Sequence, residues 1–379
     1  MNLYVLFGIG CLCILLNPLF QNANLPILYK QPVYSKQGQK TYETIKTKQP
    51  KKIVLLTSSF LPDHTAGSEI SAYELIKYLR KRGHSITIIS KESTVHSFDK
   101  FPIYIFNIKD PYILSTIQNA DVVFFQIFGN KPDNFECLAK RTKPNYLFIH
   151  VRNQYKWIIQ HRLSFPTVVV YNSNHMRDNN PTLHSSLVLI PYVDTEIFKP
   201  LRNYTRQNSV VGLLNCNISK GGKIFSEIAS KMPNIQFLAV KGHYGDHDNE
   251  NLPNITYIQT QKDTTRIYIQ IGILLMPSES ETWGRTAVEA MAAGIPVIHS
   301  EVDGLVECVG GAGIQCNRID IDSWVSAIQR ILGDNAYREQ LRQQGFERVE
   351  QIEILQREQR FELAQTIETT NEISYQVLE

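Results

Sequence analysis

Short apolar runs alternate with stretches of helical period along residues 52–332. The run KIVLLT (52–57) is apolar and rich in β-branched residues, which predicts a buried strand. A loop follows, carrying Pro62, Asp63, His64 and Gly67. Ala72, Leu75, Ile76 and Leu79 then fall on one helical face, predicting a helix over 68–82 that Gly83 ends. Further strands are expected at 86–89, 103–106, 122–127, 146–149, 167–171 and 187–190. Helices are expected at 111–118, near 133–140, and briefly after Ser173. PYVDTEIFKP (191–200) is bracketed by two prolines that stiffen the crossing, and it reads as a hinge. Beyond it come strands at 209–214, 235–240, 255–258, 271–276 and from Pro296, with helices at 224–231, 263–269, 283–293 and 321–332. The last of these helices should bury Trp324, Ile328 and Ile331, and a helical tail should carry Leu341, Val349, Ile352 and Leu355 on its apolar side. Alternating strands and helices in two blocks predict an α/β protein with two doubly wound domains facing across a cleft at their strand ends.

The organisation this implies is an apolar segment at 1–23, a polar linker at 24–50, domains at 51–195 and 196–345, and a helical tail at 346–379. At 379 residues two domains are the default, and 43% hydrophobic with 20% charged residues describes an ordinary folded chain. A net charge of +3 is too small to argue for nucleic acid. The apolar segment has no charged side chain over 2–20, about the length that spans a bilayer. No Lys or Arg precedes it and no clean small-x-small site follows it, which favours a single-pass anchor over a secretory signal. Lys30, Lys36, Lys40, Lys46, Lys48, Lys51 and Lys52 follow, with Glu43 opposing them, so the body is expected on the cytosolic side of a membrane. Entry into the secretory pathway is the alternative. Of the six cysteines, Cys11 and Cys13 lie in the apolar segment, and the other four show neither zinc nor redox spacing. Sequons stand at Asn203, Asn217 and Asn254.

Candidate chemistry concentrates in MPSESETWGRTAVEAMAAGIPVIHSEVDG (276–304). It reads as strand, polar loop, helix and strand, with Gly294 suited to end the helix. Glu281 ends the loop, and Glu289 lies about two turns into the helix, with seven residues between them. The helix N-terminus between the two carboxylates offers unpaired N–H groups and a positive dipole, which favour a phosphate. Lys220, beside Gly221 and Gly222 at a strand-to-helix turn, could meet the same anion. His243, Asp246, His247 and Asp248 could be read as a metal site, but their Gly-rich polar setting favours an exposed turn.

The stretch resembles the signature of retaining family 4 glycosyltransferases, which have the GT-B fold: Glu281, then Glu289, Ala290, Met291, Ala292, Gly294, Pro296 and Val297, with Gly304 and Glu307 beyond. The resemblance extends to Ala66-Gly67-Ser68-Glu69, to RGHSIT (82–87), and to Pro191, Val193, Asp194 and Phe198 in the hinge. It covers roughly residues 50–345 and implies two Rossmann-like domains and a nucleotide-diphosphate sugar in the cleft. In that case Glu289 would accept from the ribose hydroxyls, and the N–H groups near Gly284, Arg285 and Thr286 would receive a phosphate. Lys220 would neutralise the leaving diphosphate. Glu281 would hold sugar hydroxyls and His150 would stand near the sugar, while Gly67 would let the backbone approach phosphate or acceptor. No cofactor, protein nucleophile or bound metal is implied beyond the donor itself. The acceptor is a glycan, lipid or protein.

The family's Arg a few residues before the Lys is missing: Gly212 is followed by Leu213, Leu214 and Asn215, with no Arg before Lys220. Arg285 could supply that charge, or it could pair with Glu289 four residues on. The missing Arg also keeps open an inactive binding module, and a nucleotide-sugar epimerase is a third use of the same scaffold.

Overall fold

The computed structural model describes residues 46–126, 132–150, 163, 165–203, 209–242, 246 and 251–373, omitting the side chains of 132–136 and 371–373. The described residues all belong to one packed unit. The expected apolar segment at 1–23 lies outside them. No helix among the described residues is long and apolar enough to cross a membrane.

Within this unit the chain builds two sheets. The first contains β1 Lys52–Thr57, β2 Ser85–Ser90, β3 Ser97–Phe98, β4 Phe101–Ile105, β5 Val122–Gln126, β6 Leu147–His150, β7 Thr167–Tyr171 and β8 Ser185–Val188. Its order is β3-β4-β2-β1-β5-β6-β7-β8, parallel except for the β3–β4 pair. The helices α1 Gly67–Lys81, α2 Pro111–Gln118, α3 Pro132–Thr142 and α4 Asn174–Asn179 connect these strands. Its strands are near-continuous apolar runs because helices cover both faces. One face packs Ile53, Leu55, Phe124, Phe148 and Val170 with α1, and the other packs Val54, Leu56, Phe125 and Ile149 with α2 and α3.

The second sheet contains β9 Val211–Leu214, β10 Phe237–Lys241, β11 Ile255–Gln259, β12 Ile273–Met276, β13 Val297–Ser300 and β14 Ile314–Cys316. It is parallel throughout, in the order β11-β10-β9-β12-β13-β14. Its helices are α5 Gly222–Lys231, α6 Thr265–Tyr268, α7 Arg285–Ala292, α8 Asp303–Val309 and α9 Ile321–Gly333. As expected, α9 buries Trp324, Ile328 and Ile331. In each sheet the chain winds outward from one central strand and then returns to wind the other way. The switch points lie between β1 and β5 and between β9 and β12. Crevices for ligands open at the carboxyl ends of strands at such points.

The tail expected at 346–379 is helical over its described residues, as part of a 39-residue helix, α10 Asn335–Ile373, that starts earlier. Val349 and Ile352 pack into the second lobe, while Leu363, Ala364 and Ile367 pack into the first. Between them Gln359 accepts from the Ile190 N–H and Gln356 donates to the Pro191 carbonyl, so the helix crosses beside the hinge. At its end Arg82 forms a two-pronged pair with Glu368.

Candidate active site

The two loops at the second switch point are built against each other. After β9, Asn217 caps a single 3-10 turn, Ile218–Lys220, accepting from the Lys220 N–H at 2.8 Å. Gly221 then adopts φ +91°, and a Cβ there would lie 2.3 Å from the Pro277 carbonyl oxygen. Only glycine accommodates both demands. After β12, the Glu279 N–H donates to the Ser219 carbonyl, and Ser300 Oγ donates to the Ser278 carbonyl at 2.7 Å. Gly304, at the start of α8, lies so close that a Cβ would overlap the Glu281 carbonyl oxygen. These contacts place Lys220 Nζ 2.5 Å from Glu281 Oε1, which also accepts from Ser278 Oγ at 3.2 Å. Two residues 61 positions apart thus form one half-buried ion pair.

Arg285 begins α7, and Trp283 is tucked into the core ahead of it at 3% exposure, so the helix starts two residues later than its period predicts. The earliest amides with carbonyls inside this turn are those of Ala287 and Val288, both donating to Gly284. The N–H groups of Gly284, Arg285 and Thr286 precede that ladder, as helix geometry requires. Gly284 is small for a different reason than ligand approach: a Cβ would lie 2.7 Å from Leu305 Cδ2 in α8.

Glu289 is only 7% exposed. The Tyr268 hydroxyl donates to its Oε2 at 2.8 Å, and Arg285 reaches Oε1 at 3.5 Å. Arg285 also donates to the Tyr192 carbonyl in the hinge at 2.8 Å. The pairing of Arg285 with Glu289 expected from helix spacing is therefore present, though long. Tyr268 is fully buried, and burial foremost, with the Glu289 charge second, pushes its phenol well above the usual range. It stays a protonated donor.

The first lobe faces this cluster. Gly67 lies at the N-terminus of α1, where a built Cβ would stand 3.4 Å from Arg285 Cδ. The N-termini of α1 and α7 therefore confront each other across the lobes. Glu69, in the first turn, is buried and accepts from Ser68 Oγ and Ser59 Oγ. Asn172 Nδ2 donates to Thr282 Oγ1 at 2.6 Å. Glu307 accepts the Asn174 and His175 N–H groups, capping α4 from the opposite lobe.

His150 ends β6 and lines a small cavity with Gln126, Ala72, Tyr192, Gln356 and Arg360. The structure thus brings Lys220 to Glu281, sets Arg285, Thr286 and Glu289 on the helix that Gly284 precedes, and brings Arg285 to Gly67. His150 lines one cavity with Tyr192, whose carbonyl accepts from Arg285. Sequence reasoning missed Tyr268, Asn172 and Ser278, because their partners are 21, 110 and 3 residues away with no local pattern to mark them. Of the residues weighed as a metal site, His243, His247 and Asp248 lie outside the described residues. Two sequons are closed by the fold. Asn217 caps the Lys220 turn, and Asn254 donates to the Ala229, Met232 and Ile235 carbonyls.

Two parallel doubly wound sheets with a site between their switch points define the GT-B glycosyltransferase fold. The chain superposes on a solved Rickettsia africae glycosyltransferase with TM-score 0.64 and 20% identity, covering 86% of this chain and 99% of that one. It superposes on Anabaena Alr3699/HepE, solved in complex with UDP-glucose, with TM-score 0.68 and 16% identity over 85% and 99%. Residues 246–348 match the family described as Glycosyl transferases group 1, so the resemblance drawn from the sequence is borne out over that segment. The chain is 28% identical over 176 residues to a Mycobacterium marinum D-inositol 3-phosphate glycosyltransferase, covering 39% of this chain and 37% of that protein. It is 26% identical over 140 residues to the Staphylococcus aureus capsular polysaccharide biosynthesis glycosyltransferase CapM, covering 33% and 36%. The aligned stretches thus span little more than a third of either relative.

Proposed function

We propose that the protein transfers a sugar from a nucleotide-diphosphate sugar to an acceptor with retention of anomeric configuration. The observation that carries this reading is the arrangement at the second switch point. A cation (Lys220), a helix N-terminus (α7) and two carboxylates (Glu281, Glu289) converge there, opposite the N-terminus of α1. An elongated dianion with a ribose at one end and a sugar at the other matches that sequence of groups. The ribose hydroxyls donate to Glu289, and the diphosphate meets the Gly284, Arg285 and Thr286 amides. The Lys220 ammonium, held by Glu281 in this structure, neutralises the charge that builds as the diphosphate leaves. Glu281 orients sugar hydroxyls, and His150 serves the sugar from the first lobe. The acceptor hydroxyl attacks the face from which the diphosphate departs, and a phosphate oxygen takes its proton, so no protein nucleophile enters. Acceptors of glycan, lipid or protein type dock on first-lobe loops, and the segment at 1–23 holds the body at the cytosolic face of a membrane.

Incubation with a panel of nucleotide sugars tests the reading. Nucleotide release that depends on an added acceptor, with product of unchanged anomeric configuration by NMR, supports it. Binding without turnover would instead establish a binding module, the reading favoured by the absence of an Arg between Gly212 and Lys220. Partition of the full chain into salt-resistant membranes tests the anchor.

A further inference from the structure

The second lobe holds a buried phenol that the donor chemistry above does not use. Tyr268 is 0% exposed, and its ring packs edge-on against Phe198 at 5.3 Å and 86°. Its hydroxyl emerges from that core at one point, between the Thr286 carbonyl at 3.3 Å and Glu289 Oε2 at 2.8 Å. A carboxylate has two oxygens and accepts only. Tyr268 holds Oε2 from the buried side and so fixes the orientation of the Glu289 side chain, while Oε1 is the oxygen with both acceptor positions free of a short hydrogen bond. Its neighbour there is Arg285, at a distance too long for a strong hydrogen bond. The phenol is also a constant donor, because burial keeps it protonated far above neutral pH.

We propose that Tyr268 is a positioning residue for nucleotide recognition: it locks Glu289 so that Oε1 alone receives the ribose hydroxyls of the donor. This rests on the nucleotide-sugar reading of the same site. Its consequence is selectivity, because a carboxylate fixed by a buried donor cannot turn to follow a shifted ribose, whereas a free one can.

The Tyr268→Phe variant removes the hydroxyl and keeps the ring in its Phe198 contact. ADP, GDP and UDP, each with its 2′-deoxy counterpart, are titrated into the wild-type chain and this variant by calorimetry. The expected result is about tenfold weaker binding of the preferred ribonucleotide, the size of a lost hydrogen bond to a charged group, with a smaller penalty for removing the 2′-hydroxyl. In turnover the donor KM should rise while kcat at saturating donor holds. In a Glu289→Ala background, Tyr268→Phe should have no further effect on binding. Wild-type affinity and discrimination in Tyr268→Phe, or an additive loss in the double variant, overturns the proposal and leaves the transferase reading standing. If the wild-type chain binds none of the three nucleotides, both fall. A crystal structure of the wild-type chain with the bound ribonucleotide gives a readout that needs no variant. Oε1 should lie on the ribose with Oε2 still on Tyr268, and a Glu289 carboxylate turned away from Tyr268 overturns the proposal.

Discussion

Among the described residues, Glu281 is the ionic partner of Lys220 at its turn. Its replacement by alanine removes the charge proposed for the leaving diphosphate and should lower kcat by about 10²–10³-fold, read as acceptor-dependent nucleotide release. Arg285 is a sharper test. Its guanidinium bridges the hinge carbonyl of Tyr192 and the carboxylate of Glu289, while its stem lies on Gly67. If it also supplies the charge missing before Lys220, Arg285→Ala raises the donor KM, and unchanged KM and kcat assign it to the bridge alone. His299 gives a pH dependence of stability. Burial pulls its imidazole below the usual 6.5, so it stays neutral in the fold while an unfolded chain binds a proton near that pH. The fold then binds fewer protons, and stability should fall as pH drops below about 6.5. Urea midpoints at pH 7.5 and 5.5 should differ less in His299→Asn than in the wild-type chain. Glu281, Glu289 and Lys220 were legible as candidates because each sits at a loop or helix end with a local pattern. Tyr268 was not, because a tyrosine in a four-residue helix carries no sign that its hydroxyl meets a carboxylate 21 residues away.

At the scale of elements, the loop after β9 depends on Gly221. Gly221→Ala must hold φ near +91° and place a methyl on the Pro277 carbonyl, a strain of about 1–3 kcal/mol before any clash relief. Thermal unfolding should show a lower midpoint, and nucleotide affinity should drop as well, since the turn carries Lys220. The buried strands were readable because covered parallel strands are uninterrupted apolar runs: β1 and β7 occupy the residues their composition indicated. The elements α8, β14 and β3 were missed. They are seven, three and two residues long, too short for a period to register, and α8 earns its place through contacts with Glu281 and α4 from distant parts of the chain. The helical period places the first turn of α7 too early for a related reason. Trp283 satisfies the helical period, but the core takes it in as part of the loop.

For the whole molecule, the two lobes are joined by more than the hinge. The side chain of Arg82 is nearly buried, and Glu368 at the far end of α10 is its two-pronged partner. Glu368→Ala would strand that guanidinium, a loss of about 3–5 kcal/mol for a buried pair with one partner removed. Urea unfolding should report it, and amide exchange should rise in the final turns of α10 ahead of the rest.

The course of α10 limits how the molecule can move. The chain passes between lobes at the hinge, 191–200, and again through α10, and the two passages touch where Gln359 and Gln356 meet Ile190 and Pro191. A lone tether lets one body swivel and twist on the other. Two fastened side by side behave like the pins of a door, leaving a swing about the line that joins them and blocking the twist. Opening to admit the proposed donor would then part the N-termini of α1 and α7 along an arc, and each return would bring Gly67 back onto Arg285 without a search over orientations.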